Sequence, residues 1–168
     1  MADYAPAMIR IGGPLPRELV PELIDCIHSH GFCDDFGGSP VKAASADDLL
    51  ALARDAQGRP GTLKLYDEQT HNGEFIVLEC FLEEHGIAFD RRSDGGDEFA
   101  PEIVRFRPGW PAPTTTLTDG NGREMIQTDC VVEALQMLRA GKTAEAIVFL
   151  AELANEDVPS LEPLQITS

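Results

Sequence analysis

Basic side chains are scarce in this sequence. Thirteen Lys and Arg stand against 29 Asp and Glu, a formal net charge of −16 over 168 residues. Phosphate binding over a whole surface needs concentrated Lys and Arg, so this composition argues against general nucleic-acid binding. Long apolar runs are also absent, and none approaches a membrane span. Met1 to Ile11 has no basic start followed by a sustained apolar stretch, so it does not read as a leader. Cysteine is sparse: Cys26, Cys33, Cys80 and Cys130 are too few for a disulfide scaffold. These readings lead us to expect a reduced, cytoplasmic protein with no membrane association.

Motifs of common chemistry are missing too. Gly12-Gly13 follows a strand pattern and precedes a helix pattern, as a phosphate cradle would. No Gly-Lys-Ser/Thr and no G-x-G-x-x-G accompanies it, and Pro14 and Pro16 remove two backbone donors. No G-x-S-x-G elbow is present. Cys26, His28, His30 and Cys33 are zinc-ligating types, but at 100° per residue His28 turns away from Cys26 and His30, and no second ligand pair follows. Cys33 stands beside Asp34 and Asp35, whose charges work against a thiolate nucleophile. Asp67, Glu68, Glu74, Asp90 and Glu102 supply carboxylates for acid–base work, yet 29 acids give close pairs by chance. The expectation is a non-enzymatic chain with no cofactor and no metal. A small enzyme with a divergent carboxylate or cysteine site around Asp67, Glu74 or Cys33 is the alternative.

What the sequence does contain is a strand–helix rhythm. Met8 to Ile11, Leu63 to Tyr66, Ile87 to Phe89 and Ile103 to Arg107 read as strands by alternation. Helical spacing of Leu19, Val20, Leu23, Ile24 and Ile27 predicts a helix over 17–30, started by Pro14 and Pro16 and stopped by Gly31. Ser45 caps a second helix whose first turn holds Asp47 and Asp48. Phe75 to His85 gives a third. Asp119-Gly120-Asn121-Gly122 predicts a hairpin between 114–118 and 123–127. Residues 130–140 and 143–154 predict two further helices broken at Gly141, and Pro159 and Pro163 an extended or frayed tail.

Strand, helix, acid-Cys-apolar and His-Gly-apolar occur twice, over 8–32 and 62–87, as a weak duplication. The fold class expected is α+β: a two-layer sandwich with a ferredoxin-like mixed sheet and helices on one face. Residues 1–110 form that sandwich. Residues 111–168 add a hairpin, two helices and a short tail packed on the same domain. Trp110 anchors the hairpin to the core.

Alternation also makes a prediction about function. With Ile9, Ile11, Leu63, Leu65, Phe89, Val104 and Phe106 turned to the helices, Arg10, Lys64, Tyr66, Arg105 and Arg107 share the opposite face. Arg91 and Arg92 fall just past the third strand. Four of the thirteen basic residues then flank an aromatic, a pattern suited to an acidic peptide, an anionic metabolite or single-stranded RNA. Cross-strand pairing with acids such as Asp67, Glu68 or Asp90, or a cover from the C-terminal hairpin or helices, is the structural counter-reading.

The expected function is a binding or regulatory module that engages a macromolecular partner, a protein first of all, through that face. On that reading, Arg105→Ala with Arg107→Ala abolishes binding and leaves the thermal midpoint in place. Any direct nucleic-acid binding is confined to the face. An acidic decoy that occupies the basic groove of a nucleic-acid enzyme is an alternative. The apolar residues of 131–153 point either to packing on the sheet or to homodimer formation through the C-terminal helices.

Overall fold

The computed structural model describes residues 4–168; the first three residues, where the segment examined for a leader begins, lie outside the described residues. The chain is α+β. β1 (Tyr4–Gly12) leads through Pro14–Pro16, β2, into a 3-10 turn at Arg17–Leu19 and helix α1 (Val20–His30). Next come α2 (Ala46–Leu52), β3 (Leu63–His71), α3 (Ile76–Glu84), β4 (Ala88–Ser93) and β5 (Glu102–Phe106). β6 (Thr114–Leu117), α4 (Thr128–Arg139), α5 (Thr143–Leu153) and β7 (Gln165–Thr167) complete it. No helix among the described residues is long and apolar enough to cross a membrane.

The main sheet runs β3-β1-β4-β5-β6, and every pairing in it is antiparallel. The expected mixed sheet is therefore corrected. Each helical crossover returns the chain antiparallel to its neighbour, and only the small β2–β7 ladder is parallel. Across the inner face, Leu63, Ile11, Phe89 and Phe106 come into register, as do Leu65, Ile9, Arg91 and Val104. These side chains and the buried faces of α1 (Val20, Leu23, Ile24, Ile27) and α3 (Leu78, Phe81, Leu82) form one core with Leu49 of α2. Trp110 packs against this core as a half-buried side chain.

Local signals act as expected at the helix ends. Gly31 takes φ 86° as the left-handed C-cap of α1, a conformation open to glycine at little cost. Ser45 Oγ accepts the Asp48 N–H at 3.2 Å and caps α2. One segment departs from the sequence reading, and in the tail the extended alternative holds. Pro14–Pro16 pairs as a strand before the helical turn begins, which proline tolerates because no ladder donor is needed there. The C-terminal tail is not frayed: Leu164 is buried, and Leu164 N–H donates to Gly61 O and Gln165 N–H to Gly13 O, both at 2.9 Å. Asp119 closes the expected turn, its side chain accepting from the Asn121 and Arg123 N–H groups. The ladder beyond the turn is short, with a Thr118–Glu124 bridge and the Met125 N–H on Leu117 O.

Candidate functional site: the open sheet face and the C-terminal helices

The outer face of the sheet is built by the same alternation as the core. In register across it lie Lys64, Arg10, Asp90, Arg105 and Thr114, and next to them Tyr66, Met8, Arg92, Ile103 and Thr116. Arg107, just past β5, joins the first group. The structure thus brings Arg10, Arg105 and Arg107 together around a cleft of about 340 Å³, lined also by Asp90, Glu124 and Asn155. Lys64 and Tyr66 stand on the far side of Arg10 and do not line it. Tyr66 instead meets Phe36 edge-on at 4.8 Å. Burial and the charge of Asp35 push its phenol up from the ordinary value.

The arginines are largely committed to partners. Asp90 sits between Arg10 and Arg105 in register, because β4 extends past Phe89 as far as Ser93. Arg10 Nη2 donates to Asp90 Oδ2 at 2.7 Å, and Arg107 Nη1 lies 2.8 Å from Asp90 Oδ1. Arg107 also donates to the carbonyls of Phe89, Phe106 and Pro159 at 2.9–3.0 Å. Arg105 pairs with Glu124, and Glu124 Oε2 accepts from Asn155 Nδ2 at 2.8 Å. The segment after α5, residues 154–161, crosses this part of the face and covers Arg107. Of the five predicted residues, Lys64 and the half-exposed Arg10 remain the open part.

Arg91 was not distinguished from Arg92 by sequence, and it turns the other way. Its side chain is 3% exposed on the helix face, with Nε 2.9 Å from Glu79 of α3, Nη2 2.6 Å from Glu102, and Nη1 donating to Gly73 O at 2.7 Å. Burial pushes the Glu79 carboxyl up, against the opposing pull of Arg91 and of the Phe75 N–H. This buried ion group ties α3 to β4 and β5.

The candidate metal and nucleophile residues are dispersed. His30 Nε2 is 2.9 Å from Asp67 Oδ2, and its ring stacks on Phe32 at 4.1 Å. Cys33 is held by a backbone bridge to Tyr66. No group of three His, Cys, Asp or Glu among the described residues is placed to hold a metal ion.

The C-terminal helices present a different surface. α4 and α5 fold back on each other across Gly141, which takes φ 77°, and they pack chiefly on one another rather than on the sheet. Their buried residues are two alanines, Ala134 and Ala146. Val131, Val132, Leu135, Leu138, Ile147, Val148 and Leu150 stay 38–60% exposed. A cleft of about 370 Å³ separates the pair from β6, and Leu117, Met125 and Ile126 around it are exposed as well. A helix with apolar residues on most sides is normally buried. The apolar content of this segment is plain in its sequence, but its position off the sheet is set by tertiary packing.

Comparison with known proteins finds no matching family model, curated protein or solved structure.

Proposed function

We propose that this chain is a non-enzymatic binding module for a protein partner, and that α4 and α5 form its contact surface. One observation carries the reading: seven large apolar side chains stand exposed on two helices that bury only alanines within the chain. They present on the order of 500 Å² of apolar surface, at the upper end of what a monomer leaves open. The two-layer, ferredoxin-like architecture belongs to the same proposal. It is supported by one shared core between the sheet's inner face and α1 to α3. A reducing, cytoplasmic location accords with four unpaired cysteines.

Site-specific photo-crosslinking tests the reading. A benzophenone side chain at Val132 or Ile147 is expected to give discrete protein adducts in cells, and one at Lys42 or Arg17 none. Equal adducts at all four positions, or none at the helices, would overturn it.

A second surface is favoured by Lys64 and Arg10, which stay accessible beside the Tyr66–Phe36 pair. There the acceptor would be a carboxylate on an acidic peptide. Lys64→Ala with Arg10→Ala is expected to abolish capture of a poly-glutamate peptide; unchanged capture would remove this surface.

A further inference from the structure

The α4–α5 surface exposes seven large apolar side chains. Residues 128–154 hold four acids (Asp129, Glu133, Glu145, Glu152) and two bases (Arg139, Lys142) within a chain of net charge −16. Two copies approaching by most other faces would repel. With two bases against four acids, this segment contributes only −2 of that charge. Along α4, Val131, Leu135 and Leu138 recur at i, i+4 and i+7 and form one stripe. Asp129 and Glu133 each lie two residues from a stripe position, about 200° around the helix, and so face away from it.

Resting on the reading of these helices as the contact surface, we infer that their occupant is a second copy of this chain. The two α4–α5 pairs form a four-helix arrangement, with α4 crossing α4 antiparallel about a two-fold axis near Leu135. Val131 of one copy then meets Leu138 of the other, and each contact occurs twice, as an isologous interface requires. Helices of 11 and 12 residues are about 17 Å long. Two of them side by side, with the Met125 and Ile126 rim, approach the ~800 Å² per partner of a standard stable interface. Ile147 and Leu150 of α5, three residues apart and on one side of that helix, lose their exposure in the same bundle, while Val148 lies about 200° from Leu150 and stays outside it.

Light scattering coupled to size exclusion reads the mass of the full chain. The expected result is a dimer at twice 18.3 kDa. Leu135→Glu and Leu138→Glu are expected to weaken it roughly hundredfold, because symmetry applies each charge twice. Both positions are exposed within one chain, so the monomer keeps its fold, checked by circular dichroism. Val77→Glu, a still more exposed apolar site on α3, is expected to leave the dimer intact. A dimer indifferent to Leu135→Glu and Leu138→Glu would overturn the inference. So would a monomeric parent chain. If that monomer binds an apolar dye in a way Leu135→Glu abolishes, the surface serves another partner and only the second copy is excluded. If it binds no dye, the contact-surface reading falls too.

Discussion

Arg107 Nη1 lies 2.8 Å from Asp90 Oδ1, with 7% and 10% of the two side chains exposed. The same guanidinium holds the carbonyls of Phe89, Phe106 and Pro159, so it joins β4, β5 and the segment after α5. A buried pair of this kind leaves an uncompensated charge when one member is removed. Asp90→Asn is therefore expected to cost about 3–5 kcal/mol, read by urea denaturation. Arg107→Ala is expected to lower the thermal midpoint as well, in contrast to the neutral stability effect that the sequence reading predicted. A midpoint unmoved by both variants would show that the pair carries no structural weight.

Glu79 gives a pH-dependence with a definite sign. Burial raises its carboxyl above the ordinary value of 4.5, so between those two values the folded chain binds more protons than the unfolded one. Stability from this group therefore increases as pH falls through that window and levels off below 4.5. Arg91 also contacts Glu102 at 2.6 Å, so Glu79 is not its sole acidic neighbour. Relative to Glu79→Gln, the parent chain is expected to gain stability on acidification from neutral pH. Denaturation midpoints of both chains at a series of pH values check this; a difference that grows as pH rises would refute it.

Most of the core was legible in the sequence because period-two alternation survives in β1, β3 and β5. Ile9, Ile11, Leu63, Leu65, Val104 and Phe106 are all buried as that alternation requires. The site was legible only in part. Read as ending at Phe89, β4 left Asp90 as one acid among several; it belongs to the same face as Arg10 and Arg105 and pairs with Arg10 and Arg107. A strand Ala-Phe-Asp-Arg-Arg-Ser carries little apolar signal, since its length is fixed by pairing with β1 and β5. Alternation within it puts Arg91 inside, where no local rule expects a charge; its partners Glu79 and Glu102 are distant in sequence. The cover from residues 154–161 is likewise a tertiary fact without a sequence mark.

The tail shows the same limit and can be tested. Leu164 is 3% exposed and belongs to the core, between Gly61 and the β2–β7 ladder. Leu164→Ala is expected to cost about 2–4 kcal/mol, as truncation of a buried leucine leaves a cavity. A loss within about 0.5 kcal/mol, the range of surface substitutions, would show that the tail is dispensable.

Gly12 and Gly13 separate two roles of glycine at one turn. A Cβ at Gly12 would collide with the Glu162 carbonyl and press on the Leu161 side chain, so this position admits the tail by having no side chain. Gly13 has open space around a built Cβ but takes φ +75°, and its N–H donates to Glu162 O at 3.0 Å. Gly13→Ala is thus opposed by conformation alone, at about 1–2 kcal/mol. Gly12→Ala is opposed by contact with backbone that can yield only by moving the tail, at about 1–3 kcal/mol. The two costs overlap, so stability alone does not distinguish them. Amide exchange does: Gly12→Ala is expected to strip protection from Leu164, Gln165 and the rest of β7, while Gly13→Ala leaves it. Loss of protection in both variants would mean that the turn, rather than the close approach at Gly12, holds the tail in place.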